Sequence, residues 1–164
     1  LLGGSMANKL IIKNSLEPQI DTSETVDGKT YSHFGVEQNT GNQGGTYEST
    51  FTDAKAIKYI GVVDQTSAAA LTDGAVAFEG TATTTGTEPG ANGVKAFYVK
   101  YDSTLGTVAS VSVTFGSQVM ATLSVGESVC IPLVGGALAS CKVHASAFQN
   151  GVHEATVTAV LIGD

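Results

Sequence analysis

From Val94 to Ile162 the chain is a succession of short segments in which apolar and polar residues alternate, separated by glycine-bearing turns. Thr107–Phe115 shows the pattern best: Ala109, Val111, Val113 and Phe115 alternate with Ser110, Ser112 and Thr114. A period of two is what a strand requires when one face is buried and the other is wet, because successive side chains of extended backbone point to opposite sides. Branched and small polar side chains suit such a pleated surface. With hardly any helical pattern available to cover them, sheets of this kind must bury their apolar faces against one another.

Strands are predicted at Val94–Tyr101, Thr107–Phe115, Gln118–Val125, Ser128–Val134, Leu138–Ala145 and His153–Ile162. That spacing indicates a sandwich or barrel and argues against βαβ units. Upstream, Ala54–Val63 reads as a strand with Ile57, Tyr59 and Val63 on one face, and Ala75–Phe78 as a shorter one. Gln65–Leu71 is the one predicted helix, a turn or two of alanine stopped by Asp73-Gly74. Gly80–Gly93 reads as a long polar loop. The predicted fold is all-β, an antiparallel β-sandwich with the jelly roll as one form of it, preceded by an irregular N-terminal arm.

The 164 residues suffice for one domain with a proper core. Leu1–Ser5 reads as a tag remnant before a start at Met6. Residues 6–50 form the arm and its loops, and residues 51–164 the sandwich domain. In the arm, Leu10-Ile11-Ile12 and Tyr31–Val36 have strand character. The stretches around Asp21–Thr25 and Glu37–Gly45 have little to bury.

Only 14% of residues are charged, against roughly 25% in ordinary soluble domains. The net charge is −7, and all eight basic residues are lysine. A chain without arginine and with scattered lysines lacks the groove that phosphate recognition needs, so nucleic acid is not an expected partner. The same acidity disfavours an anionic membrane surface. No apolar run approaches the roughly 18 residues that span a bilayer, and the apolar part of Met6–Asn14 is too short for a secretory signal. A soluble chain is expected.

Face matching sharpens two points. A tight Gly116-Ser117 hairpin would oppose Val113 with Met120 and throw the two apolar sets onto opposite faces. A bulge or a crossover to a second sheet is therefore expected in its place. Likewise, matching Val129, Ile131 and Leu133 with Ala139, Cys141 and Val143 sets Ile131 opposite Cys141 and turns Cys130 to the other side. Both cysteines are then expected to be free thiols, as a reducing compartment permits. Pro132 cannot donate to a ladder, which marks Ser128–Val134 as an edge strand.

Catalytic chemistry finds no constellation. His33, His144 and His153 lack metal-ligand spacing, although His144 and His153 could approach across an Asn150-Gly151 turn. There is no Gly-x-Ser-x-Gly elbow and no phosphate-cradling glycine loop. Asp21, Glu24 and Asp27-Gly28 are too few and wrongly spaced for a calcium loop. Glu37, Glu48, Glu79 and Glu127 offer no pair that stands out for glycoside hydrolysis. No catalytic, cofactor or metal residue is assigned, and the protein is expected not to be an enzyme. For sugar binding through aromatic faces there is no Trp, and Tyr98 and Tyr101 are expected on opposite faces of their strand, which leaves Tyr31 and Tyr47 as the platforms and the signal weak.

Phe97-Tyr98-Val99-Lys100 and Val125-Gly126-Glu127-Ser128-Val129-Cys130-Ile131-Pro132-Leu133 resemble small β-sandwich structural proteins of tailed bacteriophages and marine viral genomes. The likeness covers roughly residues 94–162 and lies in texture, without a diagnostic motif. It implies a non-enzymatic virion component, such as a capsid decoration, minor capsid or tail-associated protein, assembled in the host cytoplasm beside other virion proteins. A carbohydrate- or receptor-binding module that takes a surface glycan is the alternative. Leu10, Ile11, Ile12, Leu16 and Ile20 give the arm more apolar surface than a free tail should carry. A homo-oligomer, with a trimer as the expected number, would cover it.

Overall fold

The computed structural model describes residues 8–16, 19–36, 43–72 and 77–164. Their regular structure is almost entirely strand, without an α-helix among the described residues, and every pairing of strands for which register is defined is antiparallel. The chain divides into two compact units, one of residues 10–48 and one formed by 1–9 with 49–164.

The smaller unit holds two ribbons. Strands β2 (Gln19–Val26) and β3 (Lys29–Val36) form a hairpin about Asp27-Gly28. Both turn residues have positive φ, 52° and 74°, the geometry of the tight turn whose twist matches that of the flanking strands. Strand β1 (Lys9–Leu16) pairs with β4 (Gln43–Thr50). The region expected to be irregular is thus ordered into ladders. Asp21–Thr25, expected to be loose, lies within β2. Leu10 and Ile12 are already buried in the single chain, while Ile11 and Leu16 stay exposed. The side chain of Ile20 lies outside the described residues.

The larger unit contains β5 (Lys55–Val63), β6 (Ala69–Ala70), β7 (Thr83–Gly86), β8 (Val94–Leu105), β9 (Val111–Phe115), β10 (Gln118–Leu123), β11 (Ser128–Gly136), β12 (Cys141–Ala145) and β13 (Glu154–Gly163). One sheet has five strands in the order β11-β8-β13-β5-β7, and the other has four in the order β10-β9-β12-β6. Inward side chains of both build one core. Tyr59, Phe97, Val99, Tyr101, Val157 and Leu161 come from the first sheet, and Val111, Val113, Leu123, Cys141 and Val143 from the second. Strand β13 sits in the middle, and Ala155, Val157, Ala159 and Leu161 are fully buried there while their neighbours are only half-buried. Gly61 occupies the core face of β5 because an added Cβ would lie 2.8 Å from the Phe78 ring.

The β9–β10 hairpin meets the face requirement with a bulge. Gln118 opposes Phe115 and Val119 opposes Thr114; Met120 is then skipped, so that Ala121 opposes Val113 and Leu123 opposes Val111. Above the bulge, Val119 turns outward to 60% exposure and does not join Ala121 and Leu123. Strand β9 begins later than expected. Ala109 is exposed and Val108 buried, because 106–110 carries the chain from one sheet to the other; there the Tyr101 hydroxyl donates to the Val108 carbonyl.

Four expectations give way to such crossings and to tertiary pairing. Strands β11 and β12 do not form a hairpin. Ile131 opposes Phe97 on β8, whereas Cys141 opposes Phe115 on β9, in the other sheet. The segment 138–140 is a single 3₁₀ turn and Ala139 is exposed, so the strand begins at Cys141. The alanine run expected to be helical supplies β6, which pairs with β12, and the Leu71 amide donates to the Cys141 carbonyl. Tertiary hydrogen bonds outweigh a weak local preference for helix. The loop 80–93 contains the edge strand β7. The short strand expected at 75–78 falls partly outside the described residues, although Phe78 bridges to Val63.

Candidate functional site

Both cysteines are free. Their separation has a different origin from the one expected, since they belong to different sheets. Cys141 is buried, its thiol 3.8 Å from the Ala137 carbonyl, and burial pushes its pKa up to about 12. Cys130 is half-buried opposite Tyr98, and burial raises its pKa too. Neither is poised as a thiolate nucleophile, which requires a depressed pKa.

The imidazoles serve different neighbours. His153 Nδ1 accepts the Thr107 amide at 3.0 Å, holding the 106–110 crossing against the start of β13. His144 stands on β12 opposite Ser112. The side chains of Tyr31, His33, Asp21 and Glu24 lie outside the described residues, as does Glu37. Glu79 accepts the Asn150 amide at 2.7 Å, and Glu127 accepts the Ser124 amide at 2.7 Å. These carboxylates thus tie turns together at separate places. Among the described residues no three His, Cys, Asp or Glu side chains group as metal ligands. No helix is long and apolar enough to cross a membrane, again among the described residues. Tyr98 and Tyr101 occupy opposite faces of β8: Tyr101 is fully buried and Tyr98 half-exposed.

What the larger unit does present is a pair of adjacent open strand edges. Strand β10 ends one sheet and β11 ends the other. A four-residue turn joins them, closed by the Glu127 amide on the Ser124 carbonyl at 3.0 Å. Gly126, at φ 90°, donates to the Tyr101 carbonyl, and the Tyr101 amide donates to that of Glu127, which anchors the turn to β8. The edge position expected of β11 from Pro132 is observed, and its pairing with β8 becomes irregular between Pro132 and Gly136.

The two edge strands themselves carry no charged residue and expose several apolar side chains, although Lys100 of β8 stands opposite Ser128. Val134 is 94% exposed, and Val119, Met120 and Val125 are also exposed. Between Asp102 and Lys142 the one charged residue is Glu127. Edge strands are ordinarily protected by lysine, proline or a bulge. Strand β11 has its proline, but Gln118–Leu123 has neither charge nor proline and relies on the Met120 bulge alone. The absence of charge along 103–141, Glu127 apart, is legible in the sequence. Alternation identifies what is buried, whereas absence of charge identifies what is left open.

No protein-family model, curated protein or solved structure matches the chain.

Proposed function

We propose that the chain is a structural subunit of a virion, non-enzymatic, and that it works by strand-edge contact between copies of itself. The observation that carries this reading is the pair of adjacent edge strands β10 and β11, which hold no charged residue of their own and expose Val119, Met120 and Val134. In this reading the two sheets form a sandwich with the connectivity of a jelly roll, since most successive strands pass from one sheet to the other. The residues that resemble virion proteins, 97–100 and 125–133, lie in β8 and in the arch that ends in β11. A capsid decoration, minor capsid or tail-associated protein made in the host cytoplasm fits this arrangement. Homo-oligomeric contact through an open edge uses main-chain hydrogen bonds for affinity and side-chain pockets for choice of partner. A glycan-binding module is supported less, because Tyr101 is in the core and Tyr98 alone of the β8 pair faces outward.

Light scattering on the intact protein tests the proposal. An oligomer is expected at micromolar concentration, with an interface above roughly 1,000 Å². Val119→Lys, which adds a guarding charge at the β10 edge, should shift it to monomer with an unchanged circular dichroism spectrum. A monomeric native protein would overturn the reading.

A further inference from the structure

The chain has two Asn-Gly pairs, Asn92-Gly93 and Asn150-Gly151, both in exposed turns. Asn-Gly is the dipeptide most open to spontaneous deamidation, because glycine has no side chain to shield its nitrogen. The glycine nitrogen loses its proton and attacks the asparagine Cγ, and ammonia leaves. The resulting five-membered imide is opened by water at either carbonyl, giving aspartate or isoaspartate. Two groups must be free for this to occur: the nitrogen that attacks and the amide that departs.

At Asn150-Gly151 both are held by carboxylates. The Asn150 side-chain amide donates to Glu79 Oε1 at 2.7 Å, and the Gly151 amide donates to Glu154 Oε1 at 2.6 Å. A proton shared with a carboxylate is harder to remove, and such bonds are stronger than those to neutral acceptors. At Asn92-Gly93 the glycine amide donates to a neutral carbonyl, that of Gly90, at 3.0 Å. The Asn92 side chain is exposed and makes no hydrogen bond among the described residues.

We infer that Asn92 is the site at which this protein modifies itself with water, while Asn150, the same dipeptide, is protected by Glu79 and Glu154. The site matters to the fold. The Gly93 carbonyl accepts the Asp164 amide at 3.0 Å, the Gly90 amide donates to the Asp164 carbonyl at 2.6 Å, and the Ala91 carbonyl accepts the Leu138 amide at 2.8 Å. Isoaspartate adds a methylene to the main chain inside this junction, which joins the start of β8 to the end of β13 and to the 3₁₀ turn. The modification therefore loosens the seam between the start of β8 and the end of β13.

The test is incubation of the native protein in mildly alkaline buffer, followed by peptide mass spectrometry that counts amide-to-acid conversion at each site. Conversion at Asn92 is expected to be at least about tenfold faster than at Asn150, since a bond to a carboxylate must break first at the latter. In denaturant the two rates should converge. The double substitution Glu79→Gln with Glu154→Gln should raise the native rate at Asn150 and leave that at Asn92 unchanged. Equal native rates at the two sites, or a faster Asn150, would overturn the inference.

Discussion

Substituting neighbouring residues of β13 tests the core directly, because Leu161 and Ile162 are adjacent in sequence yet face opposite ways. Leu161 is fully buried and lies between Phe97 of β8 and Ile57 of β5, both buried themselves. Ile162 is half-buried on the outer face beside Ala56 and Ala96. Leu161→Ala removes three buried carbons, about 2.4 kcal/mol in transfer free energy. The cavity left in a core closed by two sheets adds to this, for a total of about 3–4 kcal/mol. Ile162→Ala also removes three carbons, but they are already half in water and leave no enclosed cavity, so about 1 kcal/mol is expected. Urea unfolding followed by far-ultraviolet circular dichroism measures both, with unchanged slopes showing that the unfolded state is not altered. In thermal terms the Leu161 variant should lose on the order of 10 °C. An Ile162→Ala loss equal to or larger than that of Leu161→Ala would refute the assignment of faces and, with it, the common core.

Other outcomes follow from the same structure. Val113→Asp buries a charge without a partner at a fully buried position and should abolish cooperative unfolding; an unchanged thermal midpoint would contradict this. Gly163→Ala would drive a Cβ into the Gly93 carbonyl oxygen, so the two chain segments must part, at a cost of about 1–3 kcal/mol or more in urea unfolding. Alkylation should find two thiols in denaturant, with Cys141 unlabelled in the native protein. Because the Cys141 pKa is raised from 9.0 to about 12, its contribution to stability is complete below pH 9 and is lost as pH climbs towards 12, where the unfolded thiol ionises first. Cys141→Ala should flatten that alkaline decline.

The strands of the larger unit were legible because each buries one face, and period-two alternation records that burial at every second residue. Even the β9–β10 irregularity could be deduced, since Val111 and Val113 had to share a face with Leu123, and one extra residue is the least disruptive means. What alternation does not record is the partner. Ser128–Val134 and Leu138–Ala145 read as a pair with Ile131 opposite Cys141, yet their alternation is the same when each pairs in a different sheet, as it does. In the smaller unit the signal itself was missing. Strand β2 has only Ile20 and Val26 as apolar residues, near its two ends with threonine, serine and acid between them, so the Asp27-Gly28 turn was the available clue, and its acidity suggested a loop instead. The open β10–β11 side was written as a long interval with one charge, a feature invisible to any search for clustered chemistry.

Amide hydrogen exchange across β10 at increasing protein concentration tests the central claim most directly. The β10 amides that β9 does not engage point towards solvent in a single copy and should exchange quickly at high dilution. If copies associate through this edge, protection of those amides should rise with concentration, together with protection in β11, while β7 at the far edge of its sheet remains unchanged. Fast exchange along β10 at every concentration, in a protein that is otherwise fully protected, would contradict assembly through this edge.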